Sequence, residues 1–496
     1  MTGTRARDRA IVIGVLAVIT SASLALNLWN NDFPLGYHPD EVKKVEFIAT
    51  GTQDFHHPIL LLQLARTANA VAGREGAQEI VELGRAVSAV AGACIVVLSF
   101  LLARQIMPPL ASLLAAALAA VSPILVLHAH YLKEDMVFTA CALAVLLALV
   151  RFVSTPTSAS AVLLGISLGL ALAAKYVGVV LFVVVLLGPL VRRPAALRNY
   201  YLLALVAAVF AALTFGIVNA PLFSQLDVFR GGLAHETAHA VGGHEGIPIP
   251  GWRCAFAFHL LHSVLPGMTW PVALLGVAGF VLAVAGWRGA AWQQRVMVVY
   301  VGLLYGTVEL SPLKPWPGFM RYVIPIVPIL CVFAGVAISR VAARAGDRGR
   351  TWVLAAVAGA AITVSARDTA LLTRDLKHDT RETAVAEVKR LGLAAMAERF
   401  TPLPNRVSSL AALDVDEERA RGTALLVANS FMYERYPAAA RYGPRNPGVD
   451  RRVERYEKLF RYPYVEIRPR YRSFAFSNPT IRIIDIREPI SAANPQ

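Results

Sequence analysis

The sequence predicts a polytopic α-helical membrane protein with a small α/β domain at its C-terminal end. Three observations carry that expectation. Hydrophobic residues make up 56% of the 496 and charged ones only 16%, with a mean hydropathy of +0.54, so the chain holds more apolar surface than a soluble core could bury. The apolar residues gather into runs of about 17 to 25, long enough to cross a hydrocarbon layer. Beyond residue 367 the pattern changes to short strands and amphipathic helices. The four cysteines, Cys94, Cys141, Cys254 and Cys331, are too few and scattered for a disulfide framework.

The runs fall near 10–29, 86–103, 109–127, 136–153, 159–174, 177–191, 200–220, 268–286, 296–310, 322–339 and 352–366, or about eleven expected helices. The first resembles a signal peptide behind Arg5, Arg7 and Arg9 but continues to Trp29 without a small-residue cleavage site, and is read as a retained helix. Arginines crowd alternate loops, among them Arg104, Arg151, Arg192, Arg193, Arg288, Arg295, Arg340 and Arg344. By the positive-inside rule those loops and the N-terminus face the cytoplasm, and an odd helix count puts the C-terminal residues outside. The net charge of +15 is therefore read as membrane orientation, plus a basic C-terminal surface suited to anionic lipid or glycan, rather than as a nucleic-acid footprint. The expected division is a membrane module over 1–366, with long outside loops at 30–85 and 221–267, and an extracytoplasmic domain over 367–496.

The first outside loop reads YHPDEVKKVEFIATGTQDFHHP over 37–58 and places Asp40 beside Glu41 at the membrane surface. Intramembrane and juxtamembrane carboxylates are costly and point to chemistry, although a solvated loop anchoring helix ends would look similar. The segment after Pro58 has apolar residues at helical spacing, so one or two short helices are expected to brace the Asp40 turn. The next outside loop brings His128, His130, Tyr131, Lys133, Glu134 and Asp135 to the mouth of a helix, where the acidic pair could equally serve as an N-cap. Lys175 interrupts two apolar runs and either snorkels or binds an anion. Lys314 and Arg321 flank the proline-rich turn SPLKPWPGFMRYVIPIVP, and an arginine fork there suits a phosphate.

The loop at 221–267 contains a literal H-E-x-x-H at His235, Glu236 and His239. On one helix face such a pair could bind zinc, with Glu236 as general base, so a membrane metalloprotease is an alternative. The motif is short, and Gly231, Gly232, Gly242 and Gly243 hem it in. A transporter is the other alternative, but its ionisable groups would sit at midspan or in broken helices, and here the charges cluster at outer ends. In the last 130 residues, DLKHDTRETAVAEVKRLG and VERYEKLF read as helices, and 424–429 and 480–486 as strands.

Taken in order, Asp40-Glu41 and a following His-Pro, KEDMVF at a helix mouth, GGHEG in the long loop, RYVIPIVP at a helix start and Asp379-Thr380-Arg381 resemble the GT-C membrane glycosyltransferases. The nearest group is family 39 and its relatives, similar to bacterial protein mannosyltransferases and lipid A sugar transferases. The resemblance implies a cytoplasmic (inner) membrane enzyme that moves a sugar from a polyprenyl-phosphate donor to an extracytoplasmic lipid, glycan or protein, with inversion. It implies Asp40 as general base with Glu41 orienting it, Lys175, Lys314 and Arg321 as donor phosphate ligands, and His57, Tyr131, Lys133, His239 and His244 along the substrate. Asp135 is a possible ligand for a divalent ion (Mg, Mn or Zn), which some relatives use.

Overall fold

The computed structural model describes residues 2–243, 247–314, 318–344 and 346–489. Each apolar run predicted above is helical. Among the described residues six helices are long and apolar enough to cross a membrane: Arg7–Leu28, Ala77–Ala103, Glu134–Ser154, Leu197–Val218, Met320–Arg344 and Ala355–Leu391. Two bent pairs raise the number to eight if each is one span, so by length and composition the described residues hold fewer spans than the eleven or so expected. The shortfall has local causes. Pro123 follows Ser122, whose extended backbone ends one helix and starts the next, and Pro109–Ala120 meets Pro123–Ala129 at 56°. Leu260–Met268 and Trp270–Ala285 turn by 116° at Thr269, whose φ of +63° is rare for a β-branched residue. Lys175 is extended between Ser158–Ala174 and Tyr176–Leu186, leaving both too short to span.

The first long loop folds into two short helices, Glu41–Thr50 and Leu60–Ala72, each closed by a left-handed glycine, Gly51 and Gly73. Apolar residues on both enter the main core, which continues through the Ala77–Ala103 and Glu134–Ser154 helices. Over the loop lies the Leu226–Gly242 helix. Its Gly232 comes so close to the chain at Asp54 that a Cβ there would meet the Asp54 carbonyl oxygen at 2.4 Å, so a side chain would lift the helix away.

A helix from Gly346 to Asp375 leads into the C-terminal region. There β1 (Ala395–Glu398), β2 (Arg406–Val407), β3 (Leu425–Asn429), β4 (Tyr464–Ile467) and β5 (Ile481–Asp485) form one sheet in the order β2-β1-β3-β5-β4. β1 is parallel to β2 and β3, while β5 is antiparallel to β3 and β4. β3 is buried on both faces and reads as a continuous apolar run for that reason. The helices Thr380–Leu391 and Pro447–Leu459 stand where the sequence placed them.

Candidate active site

Asp40 occupies the N-cap position of the Glu41–Thr50 helix, yet its side chain makes no capping bond. The carboxylate turns instead to the Lys133 ammonium at 2.5 Å and keeps 37% of its surface exposed. Its backbone N–H donates to His38 Nδ1 at 3.3 Å, which assigns the remaining imidazole proton to Nε2. The His38 ring is fully buried between Tyr131 and Phe476, at centroid separations of 4.8 and 4.9 Å, and burial keeps it neutral. Burial also opposes the charge of Asp40, but Lys133, Arg321 and Lys44 outweigh it and hold the carboxyl well below the usual carboxylate range.

Lys133 is the hub of the cluster. Besides Asp40, its ammonium stands 3.2 Å from a Glu134 carboxylate oxygen as an ion pair and donates to His57 Nε2 at 3.2 Å. His57 must accept there, and burial next to Lys133 pushes its pKa down to about 3, so it stays neutral. Lys44, one helical turn beyond Asp40, bonds the other Glu134 oxygen. Burial lowers Lys44 to about 8 despite that carboxylate.

A second group lies beside the first. Asp135, the next residue along the same helix start, accepts from Lys175 at 2.6 Å and stands 4.0 Å from Arg321 Nε. Both cations keep 12% of their side chains exposed and flank the Tyr322 ring, Lys175 at 5.2 Å and Arg321 at 5.9 Å from its centroid. On the floor of the site, Lys44, Lys133, Lys175 and Arg321 stand among Asp40, Glu134 and Asp135, and the partly exposed Lys175 and Arg321 are the cations an anion could meet. From the overlying helix Glu236 feels Lys133, His56, His235 and Lys175, while its own burial raises its pKa.

Several sequence expectations are corrected here. Glu41 does not face the site: its carboxylate is fully buried and held by Arg85 in a fork of 2.9 and 2.6 Å, with the Leu132 N–H at 3.1 Å on the same oxygen. Lys314 is no phosphate ligand either, since it is fully buried and caps a helix end through the carbonyls of Glu309 and Ser311. Tyr131 packs behind His38, 1% exposed, and supports the wall rather than lining the substrate space. Lys133, 1% exposed, pairs with Asp40 and Glu134. His235 stacks on His56 at 4.5 Å and stands 6.2 Å from His239, while His244 lies outside the described residues. Among the described residues no three His, Cys, Asp or Glu side chains converge as metal ligands. Asp135, set between two cations, is electrostatically unsuited to a divalent ion.

Residues given no role from the sequence are Lys44, Arg85, His38, Tyr322 and Arg381. Lys44 had a readable signal, being four residues from Asp40 on a helix, and Arg381 stood in the Asp379-Thr380-Arg381 motif. Arg381 is fully buried, paired in a fork with Asp379 at 2.7 Å on both oxygens, and donates to the carbonyls of Tyr37 and Phe476 at 3.0 Å. Through Tyr37 it fastens the C-terminal region to the turn that carries Asp40.

A family model described as dolichyl-phosphate-mannose-protein mannosyltransferase matches residues 56–217. The oligosaccharyltransferase of Archaeoglobus fulgidus in its apo form is 12% identical with a TM-score of 0.58, over 92% of this chain and 73% of that one. ArnT from Cupriavidus metallidurans in the apo state is 15% identical with a TM-score of 0.56, over 97% of this chain and 98% of that one. The same protein bound to undecaprenyl phosphate gives 15% and 0.53, over 98% and 99%. The Archaeoglobus enzyme also has a structure in complex with zinc and sulfate. No match is found among curated protein sequences. The family model, over residues 56–217, and these solved structures agree on the fold, that of the GT-C membrane glycosyltransferases.

Proposed function

We propose that this chain transfers a sugar from a polyprenyl-phosphate donor to a hydroxyl-bearing acceptor, with Asp40 as general base. The observation that carries the reading is the half-exposed Asp40 carboxylate held beside a cation pair, Lys175 and Arg321, that Asp135 aligns. The acceptor oxygen attacks the anomeric carbon as the bond from that carbon to the phosphate oxygen breaks. Its proton passes to the outer oxygen of Asp40, and the phosphate leaves on its polyprenyl chain. A sugar phosphate is already a good leaving group, so no general acid is required, only cations that stabilise the growing phosphate charge. Lys175 and Arg321 supply them. Attack from one face with a single base gives inversion.

Lys133 keeps Asp40 ionised and oriented, and Lys44 neutralises Glu134 so that Lys133 is not drawn away. Support from relatives is of the same kind: one structure of the Cupriavidus protein is described as bound to undecaprenyl phosphate, and one of the Archaeoglobus protein as a complex with an inhibitory peptide and a dolichol-phosphate. The protease alternative has no comparable support, since His235 is engaged in ring stacking with His56. Lipid and glycan analysis of a strain lacking this chain tests the reading. A missing sugar on an envelope lipid, glycan or protein, restored by the wild type and not by Asp40→Asn, is the expected result, and an unchanged sugar inventory argues against it.

A further inference from the structure

The Glu134–Ser154 helix begins at the charged site, and its 21 residues carry it about 30 Å to the opposite end of the bundle. There its last turns border a groove of about 580 Å³. Leu98, Ala144, Leu147 and Leu163 give the groove an apolar wall, and Arg151 stands exposed among its lining residues. Arg192 covers Trp292, another lining residue, at 4.8 Å from the ring centroid. Neither arginine has a carboxylate partner among the described residues. An apolar channel with unpaired guanidinium groups at its rim is complementary to an amphiphile with an anionic head.

We propose that this groove is a binding site for an anionic phospholipid. Its phosphate sits on Arg151, with Arg192 adding a second cation across Trp292, and one acyl chain lies along Leu98, Ala144, Leu147 and Leu163. The hydroxyls of Ser154 and Thr155, which also line the groove, are placed for the polar head. The site is distinct from the sugar-transfer centre because a phosphate here is a full helix length from Asp40. It binds a resident lipid and not the donor.

Purified full-length protein in a neutral detergent, titrated with phosphatidylglycerol or phosphatidylcholine and read by native mass spectrometry, provides the test. Phosphatidylglycerol should bind more tightly than phosphatidylcholine. Arg151→Gln should weaken phosphatidylglycerol about fivefold, the effect of one surface cation, and leave phosphatidylcholine unchanged. Equal affinity for the two lipids in the wild type overturns the proposal, as does unchanged phosphatidylglycerol binding in Arg151→Gln or tighter binding of undecaprenyl phosphate at the groove. If Arg151→Gln does not fold, Leu147→Trp fills the groove from its apolar side, and phosphatidylglycerol binding that survives this change contradicts the proposal equally.

Discussion

Lys133 pairs with Asp40 and Glu134 and donates to His57, and that placement decides the roles around it. Asp40 is held ionised below the ordinary aspartate range, so sugar transfer should show no acid decline as the pH falls through that range, about 4. The alkaline side is set by Lys44, whose pKa is lowered to about 8. Protonated Lys44 is present below that value and lost above it, so a pH–rate profile should fall through about pH 8. Lys44→Arg should move that limb upward, because a guanidinium stays charged, and a limb left at 8 would remove Lys44 from the account. Arg321→Ala should weaken donor binding by about 1.5–3 kcal/mol, roughly 10- to 150-fold in Kd, the worth of one charge-assisted bond. Asp135 sits between two cations, so a chelator such as EDTA should leave the transfer rate unchanged. A rate abolished by EDTA and restored by zinc or magnesium would show a metal that this arrangement does not provide for.

At the scale of elements, adjacent residues of one turn have opposite fates. Asp40 at the N-cap points into the site, whereas Glu41 in the first helical turn points into the core and pairs with Arg85. The adjacency of two carboxylates was legible in the sequence. Their division was not, because the partner that buries Glu41 lies 44 positions away on another helix. Lys314 misled for the same reason, since a lysine near a helix end reads alike whether it caps carbonyls or meets a phosphate. Glu41→Gln should therefore leave a buried Arg85 without its charge partner and cost about 3–5 kcal/mol of stability, seen as a lowered Tm, with far less effect on turnover per folded molecule than Asp40→Asn. Arg381 acts across a larger distance in sequence. It holds the Tyr37 carbonyl and stacks 4.1 Å from the Tyr37 ring centroid, while Tyr37 Oη donates to Glu382 at 2.8 Å. Arg381→Lys retains the charge but gives up the fork, so kcat should fall while donor Kd stays close to that of the wild type. A parallel loss of both would mean general unfolding rather than a displaced Asp40.

For the whole molecule, the apolar runs fixed in advance where helices form, since a period of 3.6 with about 20 apolar residues has few other outcomes. Bends escaped that logic: the 116° turn at Thr269 depends on a single left-handed residue, and nothing in local hydropathy marks it. In the C-terminal region β3 and β5 were readable as an apolar run and an alternating one, whereas β1, β2 and β4 are short and half polar and acquire strand character only by pairing. The arginine-rich loops predict that this region and the Asp40 turn share the outer side. In a cysteine-free background, a cysteine placed at Arg461 should react with an impermeant thiol reagent on intact cells and one at Arg340 should not, and the reverse labelling would invert the topology. Donor affinity and single-turnover sugar transfer, measured for Asp40→Asn in nanodiscs, separate the two halves of the site: Asp40 taking the acceptor proton, and the Lys175 and Arg321 pair holding the donor phosphate. The variant should keep a donor Kd close to that of the wild type while transfer slows by about 10²- to 10⁴-fold, the usual worth of a general base. Near-normal transfer in that variant would contradict the role of Asp40 as base.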